Sequence, residues 1–157
     1  MNRSILSHRQ RIDALFSKIS VIPDPASQSE WAKYLCVLVS GFIEESLRVL
    51  LEEYARNNAS PKIQNYVSPK LSRITNCSNN KIKDILREFD PNWEHAFDAQ
   101  IAARSTRADE IKNSIDSVVT NRHSIAHGRN TGIRYATIST YYGNVKTAVE
   151  ILEVIIQ

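Results

Sequence analysis

The most reactive combination of side chains in the sequence lies between Asn121 and Gly128, which reads N-R-H-S-I-A-H-G. Arginine carries a permanent, planar positive charge that suits the binding of phosphate groups. Histidine titrates near neutral pH and can therefore give or take a proton during a reaction. Arg122, His123 and His127 are therefore candidates for chemistry on a negatively charged substrate. The ordinary alternative is an exposed arginine and a histidine favoured by a helix dipole.

These residues stand at the end of a predicted amphipathic helix. Apolar residues recur at steps of three and four, which predicts a helix over about residues 108–127. Gly128 follows as a candidate left-handed cap. The apolar positions are Ile111, Ile115, Val118, Val119, Ile125 and Ala126.

The helical geometry separates two of the three reactive side chains. Because a helix turns by about 100° per residue, Arg122 and His127 would point about 140° apart, whereas His123 and His127 would share one face. One possibility is that the helix relaxes near His127, so that Arg122 and His127 converge on one pocket. The other is that a second copy of the chain completes the site.

The same string resembles a known ribonuclease motif. An arginine, a polar residue, three further residues and a histidine, here Arg122, His123 and His127, are similar to the motif of the HEPN superfamily of small all-helical proteins. The longer string N-R-H-S-I-A-H-G, with a downstream helix that opens T-I-S-T-Y-Y, resembles the branch named RiboL-PSP-HEPN. The resemblance implies an all-α fold over most of the chain.

The resemblance further implies a metal-independent endoribonuclease, because RNA carries its own nucleophile in the 2′-hydroxyl group. His127 would act as general base on that hydroxyl or as acid toward the departing 5′-oxygen, and Arg122 would hold the scissile phosphate. A homodimer would bring two such pairs together, and the products would carry a 2′,3′-cyclic phosphate and a 5′-hydroxyl. Supporting or RNA-binding roles are expected for Asn121, His123, Glu45 and Arg129.

A biological setting also follows from the resemblance. It suggests a toxin or effector in a bacterial conflict or defence system, with an antitoxin or another defence protein as a possible partner. A different HEPN branch, paired with nucleotidyltransferase antitoxins, carries a tyrosine directly after the motif histidine. Gly128 occupies that position here, so regulation by modification of such a tyrosine is not expected.

Glu45 is the carboxylate that the sequence places at the edge of an apolar helix face, whereas Glu44 is expected to point away. A carboxylate beside apolar residues needs a partner. Two interpretations stay open at this point. Glu45 either orients Arg122 or a histidine, or it pairs with Arg48 or with solvent.

His123 and His127 are also spaced like a pair of zinc ligands. However, the glutamate of an H-E-x-x-H motif is missing, and no spacing identifies a third ligand among His8, His95 and Cys77. Gly-rich phosphate loops, a G-x-S-x-G elbow and cysteine redox motifs are absent from the sequence. The sequence therefore predicts no metal site and no cofactor.

Length and composition favour a single all-α domain over residues 1–157. A chain of 157 residues can build a core without disulfides or metal, and 42% hydrophobic with 24% charged residues is typical of a globular protein. Four glycines and five prolines are few for a β-sandwich with many tight turns. A net charge of +3 permits binding to a polyanion without requiring it.

The sequence also favours a cytoplasmic protein that does not enter a membrane. Cys36 and Cys77 form no disulfide framework, which suits a reducing compartment. No secretory signal is visible, and the longest apolar run, Tyr34–Ile43, covers about half of a ~20-residue membrane span.

Helical periodicity predicts long helices around a region of shorter ones. The short region is a candidate cap facing the substrate, although packing alone explains its aromatic residues. The expected helices are residues 3–20; Ser29–Arg56, capped by Ser27 or Ser29; Pro61–Val67, Pro69–Thr75 and Lys81–Phe89; one beginning at Asp90-Pro91; and a last helix capped by Thr137 or Ser139 and ending at Gln157.

Two functions without catalysis remain as alternatives. The first is a HEPN module that binds RNA or protein without cleaving RNA. RNA binding that survives Arg122→Ala and His127→Ala, with no cleavage by the parent protein, would identify it. The second is a structural dimerisation module, for which neither binding nor cleavage is expected.

Overall fold

The computed structural model describes residues 2–157, which form seven α-helices and no β-strand. The prediction of an all-α bundle, with long helices around a group of shorter ones, is confirmed. In chain order the helices are α1 (Arg3–Ser20), α2 (Pro25–Asn58), α3 (Pro61–Leu71), α4 (Asn79–Phe89), α5 (Pro91–Arg104), α6 (Glu110–Ala126) and α7 (Tyr135–Ile155).

Helix α2 is the longest helix and packs against α1, α3, α6 and α7. These four helices surround α2 and bury its apolar middle. Each large apolar side chain removed from water stabilises the fold by roughly 1.5–3 kcal/mol, which explains the central position of α2. Although α2 carries the longest apolar run, no helix within residues 2–157 is long and apolar enough to cross a membrane. Its fully buried residues include Leu35, Cys36, Val39, Phe42, Leu47 and Leu51.

One continuous hydrophobic cluster draws side chains from all seven helices. Aromatic contacts join the helices at two places in this cluster. Phe16 of α1 stacks on Tyr142 of α7 with ring centroids 4.7 Å apart, and Phe42 of α2 meets Tyr142 edge-on at 6.1 Å. Tyr54 of α2 meets Trp93 of α5 edge-on at 4.8 Å. The two groups of rings therefore tie the middle and the C-terminal part of α2 to the neighbouring helices.

The start of α2 corrects the predicted boundary. The helix begins at Pro25 instead of Ser29, and neither Ser27 nor Ser29 is its cap. Asp24 caps the helix instead, because its Oδ2 accepts a hydrogen bond from the Ser27 amide at 2.9 Å. A carboxylate is favoured at this position by the positive end of the helix dipole, and a proline in the first turn loses no helical hydrogen bond.

The short helices also differ from the prediction. Helix α3 continues through Pro69, so the predicted break at Ser68 is wrong. A proline inside a helix crowds the preceding turn and removes a hydrogen bond. The cost is tolerated here because Pro69 lies in the last turn of α3, which ends at the buried Leu71. Helix α4 begins earlier than Lys81 because the Ser78 hydroxyl oxygen accepts a hydrogen bond from the Lys81 amide at 3.3 Å.

Helix α7 begins at Tyr135, before Thr137 and Ser139, and ends at Ile155. The predicted caps are therefore wrong, and no side chain caps the first turn. A contact with another helix holds the start instead, since the Tyr135 hydroxyl donates a hydrogen bond to the Phe16 carbonyl at 3.0 Å. Such a tertiary contact leaves no local signal in the sequence.

Candidate active site

Helix α6 carries the arginine and the two histidines of the motif, and its first half anchors them to the core. Two polar contacts add to the burial of that half. Cys36 of α2 donates its thiol to the Val118 carbonyl at 3.6 Å, and Asn144 of α7 donates to the Ser114 hydroxyl oxygen at 2.8 Å. The observed ends of α6 agree with the predicted ones within the usual scatter of helix boundaries. The buried residues of α6 are Ile111, Ser114, Ile115 and Val118.

Gly128 ends helix α6 as predicted. Its φ angle of +67° lies in the left-handed region, which glycine adopts without strain. The Gly128 amide donates to the Ile125 carbonyl at 3.0 Å, and the Arg129 amide donates to the Ser124 carbonyl at 2.9 Å. These two bonds form a Schellman motif, which satisfies the last carbonyl groups of the helix. His127 is therefore held at the cap position.

His123 and His127 lie side by side on the exposed surface, as their spacing predicted. Their ring centroids are 4.4 Å apart and the ring planes are inclined at 58°. Both residues are exposed. Among residues 2–157, no group of three or more metal-ligating side chains forms, here or elsewhere.

Arg122 points to a different neighbour. This partly buried residue donates a hydrogen bond from Nη1 to Oδ1 of Asn76, in the loop between α3 and α4, at 3.4 Å. No hydrogen bond joins Arg122 to His127 in the part of the chain that the structure describes. One copy of the chain thus brings the two histidines together and directs the arginine elsewhere.

Glu44, which was expected to point away from the apolar face of α2, binds the partner of Arg122. Its Oε1 accepts hydrogen bonds from the Asn76 amide at 2.8 Å and from the Ser40 hydroxyl at 3.3 Å. Asn76 has a left-handed φ of +52°, and the bond to Glu44 helps to fix that conformation. The sequence contained one local indication that Glu44 faces α6. Cys36, Ser40 and Glu44 are four residues apart and share one face of α2, and Cys36 on that face contacts α6.

Glu45 pairs with Arg48. Arg48 donates from Nε to Oε2 of Glu45 at 2.9 Å, contacts the other carboxylate oxygen through Nη2, and reaches Glu52 through Nη1 at 2.6 Å. The hydrogen bond to Glu45 is the main cause that raises the pKa of Arg48. Of the two interpretations of Glu45, the structure therefore has the pair with Arg48, and no hydrogen bond or ion pair joins Glu45 to Arg122 within residues 2–157.

The two cysteines fill space in the core. Burial raises the pKa of the Cys36 thiol to about 12. Burial and, to a lesser extent, the charge of Glu44 raise the pKa of the Cys77 thiol to about 12 as well. Because only a thiolate is strongly nucleophilic, neither residue is a candidate nucleophile near neutral pH.

The remaining candidates are Asn121 in α6 and Arg129 in the loop that follows it. Asn121 donates from Nδ2 to the Ser117 carbonyl of its own helix at 2.8 Å. Arg129 and Arg134 are exposed in the loop after α6. Within residues 2–157, no ion pair includes Arg122, Arg129 or Arg134. This surface therefore favours a negatively charged ligand.

An all-α bundle with an arginine and a histidine at the exposed end of its penultimate helix is the architecture expected of a HEPN protein. A family model described as RiboL-PSP-HEPN matches residues 3–157. The chain belongs to the RiboL-PSP-HEPN family, and this membership is compatible with RNA cleavage or RNA binding. Comparisons with curated proteins and with solved structures gave no match.

Proposed function

We propose that the protein is a metal-independent endoribonuclease that cleaves RNA through the 2′-hydroxyl group, with Arg122 and His127 as catalytic residues. The observation that carries this proposal is the N-R-H-S-I-A-H-G segment at the end of α6, with both histidines exposed, in a chain that matches its family model over residues 3–157. The exposed arginines beside it add a charge that suits the phosphate groups of RNA.

Each side chain has a defined task in the proposed reaction. The imidazole of His127 removes the proton of the 2′-hydroxyl, and the 2′-oxygen then attacks the neighbouring phosphorus. The bond from phosphorus to the 5′-oxygen breaks, and the departing oxygen takes a proton from the imidazole of His127 in the second copy of the chain. Arg122 holds the phosphate and offsets the charge that develops on it. The products are a 2′,3′-cyclic phosphate and a 5′-hydroxyl.

A homodimer is part of the proposal because one copy does not unite the catalytic pair. Arg122 contacts Asn76 and His127 contacts His123, so a second copy is the simplest source of the missing partner. Helix α2 supports this assembly with an apolar stripe of Trp31, Tyr34 and Val37, which are 45%, 48% and 38% exposed. Exposed apolar residues grouped in this way are typical of interaction surfaces.

The other candidates take supporting roles. Arg129, exposed in the loop after α6, would contact a phosphate of the RNA beside the scissile one. His123, whose ring lies 4.4 Å from that of His127, would orient His127 or bind phosphate. Asn121 bonds to its own helix and leaves its amide oxygen for RNA. Family resemblance also favours a toxin or effector of a bacterial defence system, with an antitoxin or another defence protein as partner.

Subunit mixing tests both the reaction and the shared site. Arg122→Ala and His127→Ala proteins are purified separately and assayed on RNA, alone and after exchange of subunits. Each variant alone is expected to be inactive. The mixture should regain part of the activity, because a mixed dimer holds one intact arginine opposite one intact histidine that can act as base, while the departing oxygen takes its proton from water. A mixture as inactive as its components, with subunit exchange verified by mass spectrometry, contradicts the shared site.

A non-catalytic RNA-binding module is the second candidate, and the separation of Arg122 from His127 within one copy favours it. The two functions differ in one measurement. If the protein only binds RNA, the parent does not cleave, and binding persists in Arg122→Ala and His127→Ala.

A further inference from the structure

His123 and His127 at the end of α6 are arranged like a pair of metal ligands, although no third metal-ligating side chain joins them within residues 2–157. His123 and His127 lie one helical turn apart with ring centroids separated by 4.4 Å. Small rotations of both rings would let each offer one nitrogen to an ion, since zinc binds imidazole nitrogen at about 2.0–2.1 Å. We propose that His123 and His127 form an exchangeable Zn²⁺ site.

Both rings are available to an ion. His123 and His127 are exposed, and none of the hydrogen bonds or ion pairs within residues 2–157 engages a ring nitrogen of either residue. The Schellman motif fixes the backbone under His127, so the spacing of the two rings does not depend on a mobile loop. An entering ion therefore displaces only water from the pair.

The charges around His123 and His127 make zinc binding weak and reversible. The C-terminal end of a helix carries a partial negative charge, which favours a cation beside His127. The positive charges of Arg122 and Arg129 oppose it. Zinc sites that stabilise a fold use four protein ligands, whereas no third His, Cys, Asp or Glu joins this pair among residues 2–157. Water would complete the coordination, and the ion would come and go with its free concentration.

Occupancy of the site would stop the proposed reaction, and this consequence rests on the proposed function. A nitrogen of His127 that binds zinc has no lone pair left to accept the proton of the 2′-hydroxyl group. The protein would therefore cleave RNA in the presence of a chelator and be inhibited by free zinc.

Zinc binding is measured without reference to catalysis, by competition between the purified protein and a chromophoric zinc chelator at a pH above neutrality. We expect no more than one ion per chain. His123→Ala and His127→Ala should each weaken binding by at least about tenfold, because each removes a ligand. His95→Ala is the matched control, since His95 is an exposed histidine on α5, and it should bind as the parent does. Equal binding by the parent and His123→Ala would overturn the site.

Cleavage assays then test the inhibition. The activity of each protein in zinc is divided by its own activity in EDTA, so that any loss caused by the substitution itself cancels. The ratio should fall well below one for the parent and for His95→Ala, and stay near one for His123→Ala. An equal fall for His123→Ala would place the inhibiting ion elsewhere. A parent without RNA cleavage would contradict the ribonuclease proposal and leave the binding measurement to decide the zinc site.

Discussion

The two halves of helix α6 differ in what their side chains do. From Glu110 to Val118 the helix buries a stripe of apolar residues against α2 and α7, and its polar contacts serve packing. From Asn121 to His127 the side chains are exposed or partly buried, and the arginine and the histidines carry no ion pair within residues 2–157. The buried first half of α6 therefore anchors the helix. The second half carries the arginine and the histidines without placing them in the core.

This division keeps the charged groups of the motif out of the hydrophobic core. Charged groups buried without partners are expensive, and the exposed end of α6 avoids that cost. Substitutions in the first half of α6 should therefore change the stability of the fold, and substitutions in the second half should change the proposed reaction.

His127→Ala should give the largest effect and separate the two halves most clearly. Loss of the general base is expected to lower the rate of RNA cleavage by about 100- to 10,000-fold. The helical circular-dichroism signal, the midpoint of thermal unfolding and the mass in solution should stay as in the parent, because the side chain is exposed. Activity close to that of the parent would remove His127 from the mechanism.

Ile115→Ala is the converse test in the buried half. Ile115 is 1% exposed, so truncating it leaves a cavity that should lower the free energy of unfolding by about 2–5 kcal/mol. Thr120→Ala, at an exposed position on the same helix, should change it by less than about 0.5 kcal/mol. Urea unfolding of the three proteins measures both values. Equal stability of Ile115→Ala and the parent would mean that the first half of α6 does not anchor the helix.

Gly128→Ala tests the left-handed cap that ends α6 and begins the following loop. Alanine at a φ of +67° should cost about 1–2 kcal/mol of unfolding free energy. Gly143→Ala is a matched control, because Gly143 lies in the exposed surface of α7 and an added Cβ meets nothing within 4 Å. That variant should gain up to about 1 kcal/mol from helix propensity. A Gly128→Ala variant as stable as the parent, or more stable as expected for Gly143→Ala, would show that the left-handed cap is not what ends α6.

Asn76→Gly should give the smallest effect. It removes the amide that accepts from Arg122 and keeps a residue that tolerates a φ of +52°. Losing one hydrogen bond of roughly 0.5–1.5 kcal/mol should lower cleavage about two- to tenfold. Asn76→Ala should lower cleavage equally but also reduce stability, because alanine is strained at that φ. Unchanged kcat and KM in Asn76→Gly would show that Arg122 does not depend on this contact.

Local patterns in the sequence were sufficient for most of the helices. Apolar periodicity located α1 and α6, and Gly128 marked the end of α6, because helix formation and capping depend on neighbours within one or two turns. The same reasoning placed His123 and His127 on one face.

Contacts between distant segments could not be predicted in the same way. Asn76 meets Arg122 and Glu44 only because the loop between α3 and α4 folds onto α2 and α6, and nothing in the local sequence marks that approach. The start of α7 depends similarly on the contact between Tyr135 and Phe16. The sequence identified the reactive residues, but it did not identify which side chains hold Arg122.

The central claim is cleavage of RNA by Arg122 and His127 without metal. The most direct test incubates the purified protein with mixed RNA in EDTA, beside the Arg122→Ala/His127→Ala double variant, and determines the end groups of the fragments. The proposal predicts fragments with 2′,3′-cyclic phosphate and 5′-hydroxyl ends from the parent alone. Equal cleavage by the double variant, or no cleavage by a folded and dimeric parent, would contradict it.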